Sequence, residues 1–410
     1  MKRKLRIASI FLLGTEQNLI SQDEQEQETK TDEILEKLKI DLTMKSLVRK
    51  EEDLNKVDTD KTEALVIFPC CPYRFTPLIH LIESGVPTVI NGTGRAFSGA
   101  VDTYAYLADY PNVELAFSDE EVKAKLNAIE AARWVKNARI VVFGLERIES
   151  EYPAWFKNPI GLGKLNTIFV GKQRVLEAYK KADSAEAKRL AKWWISECIL
   201  KEPSFEDVVL SARVYLALKI VIEQADADGA YMPWCGQFTK DFGTKPCFAI
   251  AKIADEGIPI GCWKGDNLLP MLILHATSHK PVFVCELHGP LHENNTLELR
   301  HCFSPTKLSE GKPILRQWRS MLHTVTAYCQ LPKGEVTLVN SGIGDKILIT
   351  TAEVQDCKDL EGDNCRITIF AQLPNEQTVS KLQAKEFALV YGDHTRDTQL
   401  AAKKLGLKIL

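Results

Sequence analysis

Apolar and amphipathic segments alternate along the first third of the chain. The short apolar runs "LRIASIFLL", "ALVIFPC" and "VPTVIN" are separated from one another by segments with helical spacing, such as "FTPLIHLIESG". Continuous apolar strands that alternate with helices are typical of a parallel sheet covered by helices on both faces. The pattern therefore predicts a doubly wound α/β domain over residues 1–136.

The same alternation begins again at the strand "ARIVVFG". A long helix is expected from Phe205 to Gln224, with its start at Ser204. The apolar segments 229–234 and 245–257 follow, and their ends, like those of the strands, carry polar residues. A strand, a helix and a second strand then lie within "GIPIGCWKGDNLLPMLILHATSHKPVFVCEL". We interpret residues 137–305 as a second doubly wound domain, with these last two strands as neighbours in one parallel sheet.

The pattern changes after residue 305. The runs "GEVTLVNSG", "KILITTAEV", "NCRITIFAQL" and "EFALVYGD" are short strands with polar turns and no helix between them. Such a pattern is typical of an antiparallel sheet. The predicted fold class is therefore α/β, with two doubly wound parallel-sheet domains followed by an antiparallel β domain at 306–410.

Composition and charge narrow the class of protein. The chain has 410 residues, and its 52 basic and 55 acidic side chains leave a net charge of −3, which gives no electrostatic reason to expect a nucleic-acid or anionic-membrane partner. No segment approaches the roughly 20 apolar residues of a membrane span. The run "IASIFLLG" lacks the small-residue cleavage site of a signal peptide, so it is interpreted as a first strand.

The cysteines indicate the compartment. There are 11, and several lie inside apolar runs, where a free thiol acts as a small core residue. No CxxC pair occurs, so a zinc site of the usual spacing is not expected. An odd number of scattered cysteines predicts a protein of the reducing cytoplasm.

Candidate chemistry lies where the strands of the second domain end. One strand stops at Lys264 and Asp266, and the next stops at Glu286. Because α/β enzymes keep their functional groups at the carboxyl ends of parallel strands, we expect Lys264 and Glu286 to lie in one cleft, where they face each other or a shared ligand. A simpler interpretation makes Lys264 a solvated turn residue, Asp266 a helix cap and Glu286 half of a structural ion pair.

Several ordered motifs resemble the L-fucose isomerase-like sugar isomerases. The segments "DADGAYMPW", "KPCFAIAKIADEGIP", "CWKGD", "PVFVCEL" and "NNTLELRHC" stand in the order of that family's acidic strand, PC segment, active-site turn, aspartate strand and C-terminal motif. The resemblance is strongest over residues 228–305 and extends over most of the chain. It implies an enzyme that interconverts an aldose and its ketose.

The resemblance also implies what such an enzyme requires. A base takes the C2 proton, an acid moves protons between the oxygens, and a Mn²⁺-type ion held by glutamate, aspartate and histidine polarises both oxygens. The implied partners are a small sugar substrate and further copies of the chain, as a homo-oligomer built of trimers or another multiple. The glycine-rich "NGTGRAFSGA", with Arg95 and Ser98, resembles a loop that such enzymes donate to a neighbouring subunit.

Three positions depart from the family pattern. Trp263 and Lys264 stand where the metal-binding glutamate is expected, Glu286 stands where the aspartate is expected, and residues 383–387 contain no histidine. Glu286 is therefore the one metal ligand that the resemblance supplies, and the Mn²⁺ site is incomplete. A protonated lysine would repel a divalent ion, so Lys264 is expected instead to hold an acidic substrate group or to replace the charge of the metal.

The expected site is thus an altered one. Its catalytic candidates are Glu286, Lys264 and His301; His288, His292 and His301 are each a general acid, a replacement metal ligand, or an ordinary packed or surface histidine. The residues expected to contact substrate are Trp234, Gln237, Trp263, Asp266, Arg95, Ser98 and Lys385. Two functions remain open: an isomerase of a sugar or acidic sugar derivative with an altered or metal-free site, or a catalytically silent relative that binds carbohydrate or supports an assembly.

Overall fold

The structure is a computed structural model that describes residues 6–12, 36, 42–48, 51–69, 76–93, 97–145, 165–233, 235–262, 267–360 and 365–410. The chain divides into two compact units, Met1–Glu130 and Ala131–Leu410. Among the described helices, none combines the length and the apolar character that crossing a bilayer requires.

The secondary structure mixes strands and helices along the whole chain. The strands are β1 (Ile7–Leu12), β2 (Leu42–Val48), β3 (Ala64–Pro69), β4 (Thr88–Asn91), β5 (Val113–Ala116), β6 (Arg139–Gly144), β7 (Asn166–Gly171), β8 (Ile199–Leu200), β9 (Gly229–Met232), β10 (Ile260–Cys262), β11 (Phe283–Leu287), β12 (Thr296–His301), β13 (Ile314–Arg316), β14 (Thr326–Tyr328), β15 (Gly334–Ser341), β16 (Lys346–Lys358), β17 (Ile367–Gln372), β18 (Glu386–Tyr391) and β19 (Lys408–Ile409). The α-helices are α1 (Thr76–Glu83), α2 (Phe97–Leu107), α3 (Asp119–Asn137), α4 (Lys172–Lys181), α5 (Ser184–Glu197), α6 (Phe205–Gln224), α7 (Thr239–Phe242), α8 (Cys247–Asp255), α9 (Leu268–Ser278), α10 (Glu376–Val379) and α11 (Thr395–Lys404).

The first unit is built on a parallel sheet with strand order β2-β1-β3-β4-β5. Side chains alternate between the two faces of a strand, so each strand contributes side chains to the core on either face of the sheet. Leu65 and Ile67 pack with residues of α1 and α2, whereas Val66 and Phe68 pack with residues of α3. Both faces of the sheet are therefore covered, which confirms the parallel, helix-covered sheet expected from the apolar runs.

The second unit contains a smaller parallel sheet with strand order β10-β9-β6-β7. The longest described helix of the second unit, α6, begins as expected. Ser204 N donates to Asp207 Oδ2 at 2.8 Å, and Asp207 N donates to Ser204 Oγ at 3.2 Å. This reciprocal pair satisfies two of the N–H groups that a helix start leaves open. The segment 245–257, grouped above with the strand ends, contains helix α8 instead.

An antiparallel sheet completes the second unit. Six strands, in the order β15-β18-β11-β12-β17-β16, close on themselves through the pairing of β15 with β16, and β19 joins β16 in parallel. Between the strands from β15 to β18, the one helix in the described residues is the four-residue α10. The expected antiparallel region is therefore present. A further sheet of three short strands has the order β14-β13-β8.

The placement of β11 corrects one prediction. We expected β11 beside β10 in a parallel sheet, but β11 lies between β18 and β12 in the closed antiparallel sheet. The reason is that β11 is buried at Phe283, Val284, Cys285 and Glu286 in succession, so both of its faces are covered. A strand covered on both faces has the same continuous apolar run in either kind of sheet.

Candidate functional site

A row of charged side chains crosses one end of the closed sheet. Glu286 of β11 stands directly opposite Glu386 of β18 on one side and Arg300 of β12 on the other. Directly opposed residues of antiparallel strands point to the same face. Glu286 is 8% exposed and Glu386 is fully buried. Two carboxylates and a guanidinium are therefore held side by side where water has little access.

Lys385 supplies a cation to this row. Its Nζ lies 3.0 Å from Glu286 Oε2, and the lysine side chain is 43% exposed whereas that of Glu286 is 11% exposed. The position of Lys385 is fixed by the sheet, because its carbonyl oxygen accepts a hydrogen bond of 2.8 Å from Leu287 N. Lys385 was expected only to contact substrate. The lysine expected to face Glu286, Lys264, lies outside the described residues.

His288 lies near the same carboxylate oxygen as Lys385. Its Nε2 is 3.9 Å from Glu286 Oε2, and its backbone N donates a hydrogen bond of 3.0 Å to Glu298 O. Burial, and then the nearby charge of Lys385, lower the pKa of His288 below its ordinary value, against the opposing effect of Glu286. The ring is therefore neutral at pH 7 and able to both accept and donate a proton.

Glu298 is held by His292 and by Arg300 of the charged row. Its Oε2 lies 3.0 Å from Nε2 of His292, and its Oε1 accepts a hydrogen bond of 2.7 Å from Nε of Arg300. Burial opposes ionisation, but the bonds from His292 and Arg300 outweigh it and lower the pKa of Glu298. His292 is thus engaged in a hydrogen bond with Glu298, and of the three clustered histidines His288 is the one beside the Glu286 carboxylate.

Behind the row lies a buried amide that the sequence analysis did not single out. Asn267 precedes α9, is fully buried, and donates its backbone N–H to Glu386 Oε2 at 3.1 Å. Within the described part of the chain, neither its Oδ1 nor its Nδ2 has a hydrogen-bond partner. Buried amides are normally satisfied, so an amide with two groups lacking a partner among the described residues is unusual. The one feature of the sequence that could have pointed to Asn267 is its position, as a polar residue directly before an apolar helix.

The same asparagine packs closely on the end of the parallel sheet. A Cβ placed on Gly261 of β10 would lie 3.3 Å from Asn267 Oδ1 and 3.1 Å from the ring of Tyr231. A side chain at this position would therefore press on the amide. The absence of one at Gly261 lets Asn267 lie directly against β10.

His301 bridges from the closed sheet to the end of β10. It is 4% exposed, its Nε2 lies 3.6 Å from Cys262 Sγ, and its Nδ1 lies 3.2 Å from the carbonyl oxygen of Phe303. The ring also meets those of Phe283 and Phe303 edge-on. His301 was expected as a catalytic residue, and the structure places it in an apolar pocket against a thiol.

The remaining expected residues are distributed more widely. Gln237 lies in the 3-10 helix Cys235–Phe238, and its amide packs so closely on Gly144 that an added Cβ there would overlap it. Ser98 is exposed on α2 of the first unit. The expected residues that lie outside the described part of the chain are Arg95, Trp234, Trp263, Lys264 and Asp266.

The charged row does not fit the Mn²⁺ ligand set that the resemblance implies. In the described residues, no group of three or more histidine, cysteine, aspartate or glutamate side chains is placed to hold a metal ion. The carboxylate proposed as a ligand, Glu286, has an ammonium group at 3.0 Å, and Glu386 already accepts a backbone N–H. The negative charge of each carboxylate is therefore compensated by a donor of the protein itself.

Comparison with known proteins adds no family. No family model matches the chain, and no curated protein matches it. The resemblance to the L-fucose isomerase-like enzymes therefore depends on the motifs quoted above.

Proposed function

We propose that the protein interconverts an open-chain aldose, or an acidic derivative of one, and the corresponding ketose by proton transfer at Glu286. The observation that supports this most is the 3.0 Å contact between Lys385 Nζ and the mostly buried Glu286 carboxylate. A general base needs to lie within reach of its proton, and a cation beside it stabilises negative charge that develops on the substrate.

The reaction balances without an external oxidant or reductant. The Glu286 carboxylate takes the proton from C2, the electrons of the C2–H bond form a C1–C2 double bond, and the carbonyl electrons move onto O1. Lys385 stabilises the resulting enediolate in place of a metal ion. Neutral His288 moves the hydroxyl proton from O2 to O1, and Glu286 returns its proton to C1 to give the ketose.

Two further features suit a substrate with many oxygens. The open amide groups of Asn267 are able to bind a hydroxyl or carbonyl oxygen. Lys385 has a partly exposed ammonium group, which would also attract a carboxylate or phosphate on the sugar. An acidic sugar derivative is therefore the preferred substrate class.

A substrate screen in deuterated water tests the function. Aldoses, uronates and phosphosugars are incubated with the protein, with EDTA and with added Mn²⁺, and NMR follows both ketose formation and exchange of the C2 proton. We expect exchange and ketose formation that persist in EDTA. Binding detected by a thermal shift, with neither exchange nor ketose, would support the silent carbohydrate-binding alternative instead.

We further propose, from the resemblance alone, that copies of the chain associate. The motif "NGTGRAFSGA" supports this, because related enzymes complete the sugar pocket with a loop from a neighbouring subunit. Light scattering at micromolar concentration should give a mass of three chains or a multiple. A monomer under these conditions would contradict both the association and a role for Arg95 in the pocket.

A further inference from the structure

Five thiols form a continuous chain of contacts in the second unit. Cys235 contacts Cys247 and Cys262, and Cys302 contacts Cys247 and Cys365. All five are free thiols, and three of them are almost completely buried. Cysteines are often buried singly as small apolar residues, so five joined by successive contacts require another explanation.

The fold brings these thiols together from distant parts of the chain. Cys235 begins a 3-10 helix after β9, Cys247 begins α8, and Cys262 ends β10. Cys302 follows β12 and Cys365 precedes β17, two antiparallel strands whose last aligned pair is His301 with Ile367. The thiol chain therefore begins at the end of the parallel sheet and reaches the closed sheet.

One pair is close enough to react. Cys302 Sγ lies 3.2 Å from Cys365 Sγ. A disulfide bond is about 2.0 Å long, so the two sulfur atoms need to approach by only about 1.2 Å. Because the two cysteines flank the paired strands β12 and β17, this approach requires a local shift and no rearrangement of the sheet.

The surroundings of Cys302 distinguish it as the more reactive thiol. It is only partly buried, whereas Cys365 is buried. Trp318 Nε1 donates a hydrogen bond of 3.0 Å to Cys302 Sγ. Contacts from Cys247 and then Cys365 hold the pKa of Cys302 well below its ordinary value, against the effect of burial. A thiolate is the nucleophilic form of cysteine.

We propose that Cys302 and Cys365 are a peroxide-sensitive dithiol, in which Cys302 attacks a hydroperoxide and Cys365 resolves the product. The Cys302 thiolate attacks one peroxide oxygen, the O–O bond breaks, and a sulfenic acid and water form after protonation. The Cys365 thiol then attacks the Cys302 sulfur, which releases a second water and leaves a disulfide. Two thiols lose two electrons, and the peroxide gains them.

The oxidation has a consequence for the neighbouring histidine. Cys302 follows His301 directly, and the Nε2 of His301 lies 3.6 Å from Cys262 Sγ. Drawing Cys302 towards Cys365 therefore shifts the backbone that positions His301. An effect of this shift on isomerase activity would rest on the proposed function, whereas formation of the disulfide does not.

Peptide mapping of the full chain tests the proposal without any activity assay. The protein is treated with hydrogen peroxide in stepwise equivalents, alkylated, and digested with trypsin without reduction. Cleavage after Arg300, Lys307, Lys358 and Arg366 should yield peptide 301–307 linked to peptide 359–366. We expect this linked pair after one equivalent of peroxide, with loss of two free thiols and full recovery after treatment with a dithiol reductant.

Variants separate the attacking thiol from the resolving one. Cys365→Ser should abolish the linked peptides and leave Cys302 as a sulfenic acid that a cyclic dione traps. Cys302→Ser should abolish both products. Cys198→Ser is the matched control, because burial raises the pKa of Cys198 to about 11 and keeps it unreactive. It should form the linked peptides as the wild type does.

Three results would overturn the proposal. The first is a linkage of other thiols, such as Cys235 with Cys262, in preference to Cys302 with Cys365. The second is a full count of free thiols after an excess of peroxide. The third is stoichiometric zinc or iron by elemental analysis, with the thiols protected until a chelator removes the metal, which would make the chain of thiols a metal site.

Discussion

The end of the parallel sheet and the end of the closed sheet carry different chemistry within one unit. At the parallel sheet, Cys235 follows β9 and Cys262 ends β10, and both contribute thiols. At the closed sheet, Glu286, Glu386 and Arg300 stand in a row. Thiols need no hydrogen-bond partner in a packed core, whereas buried charges do.

The two regions stabilise their buried polar groups in different ways. The charged row is compensated by neighbours that include Lys385, which extends into solvent. The thiols of the chain instead contact mainly one another, with a hydrogen bond from Trp318 Nε1 to Cys302 Sγ. His301 belongs to the closed sheet but contacts Cys262, so it is one residue through which one region can affect the other. We therefore expect proton transfer at the charged row and redox chemistry at the thiols.

The largest expected effect is on the charged row itself. Glu286→Gln keeps the shape of the side chain but removes the base, and loss of general-base catalysis should lower kcat by about 10²- to 10⁴-fold. Steady-state isomerisation of the best substrate from the screen measures this. The matched control is Glu353→Gln, an exposed glutamate on β16 of the same closed sheet, which should retain full activity. Equal activity of the two variants would remove Glu286 from the mechanism.

A second comparison decides which lysine serves Glu286. Lys385→Met removes the ammonium group that lies 3.0 Å from Glu286 Oε2. It should lower kcat by about 10²-fold, since one electrostatic donor to a developing charge contributes roughly that much. Lys264→Met tests the lysine first expected there. If Lys264→Met has the larger effect on kcat while Lys385→Met changes only KM, then Lys385 binds substrate and the original expectation for Lys264 holds.

Local patterns in the sequence predicted much of the fold. The apolar runs identified β1, β3 and β4, three of the five strands in the parallel sheet of the first unit, but not β2 or β5. The residues around Ser204 were sufficient to predict the start of α6. Both predictions depend on residues near in sequence. The strands after residue 305 were predicted for the same reason. Each of these features can be recognised from spacing alone.

The site was less predictable, because it depends on which strands pair. The placement of β11 beside β18 brings Glu286 to Lys385 and Glu386, about 100 residues further along, and no local pattern contains this pairing. The thiol chain was missed for the same reason: its cysteines have no regular spacing, and only the meeting of two sheets joins Cys247 to Cys302. Compositional reasoning had treated them as separate core residues.

Lowering the pH should destabilise the folded chain through a histidine on α9, the helix between β10 of the parallel sheet and β11 of the closed sheet. His275 lies on α9, between β10 and β11, beside the ring of Trp134. Burial, and then the charge of His279, lower the pKa of His275 from 6.5 to about 4. Protonation therefore favours the unfolded chain: stability is full above pH 6.5, falls as the pH drops from 6.5 to 4, and is constant in this respect below that range.

Denaturant unfolding between pH 7 and 4 measures this effect. Each pKa unit corresponds to about 1.4 kcal/mol, so His275 should account for a loss of up to about 3 kcal/mol in the free energy of unfolding. His275→Leu should remove that part of the pH dependence. If the variant loses as much stability on acidification as the wild type, the histidine is accessible to water and the burial argument fails.

The smallest expected effect concerns the buried amide where the two regions meet. A polar group buried without a partner destabilises the folded state, and its replacement by an apolar group of similar size removes that cost. Asn267→Leu should therefore raise the free energy of unfolding by about 1 kcal/mol, measured by denaturant titration, while weakening substrate binding. This opposition between stability and binding is expected of a residue kept for function.

A second buried asparagine provides the control. Asn340 is 1% exposed and donates hydrogen bonds to the carbonyl oxygens of Ala384 and Glu386 at 3.0 and 2.8 Å. Asn340→Leu leaves those acceptors unpaired and should lower the free energy of unfolding by about 1–3 kcal/mol. The two substitutions are chemically identical, and both sites adjoin Glu386. If Asn267→Leu destabilises the protein as much as Asn340→Leu does, then the Asn267 amide makes hydrogen bonds that stabilise the folded chain and is not available to bind substrate.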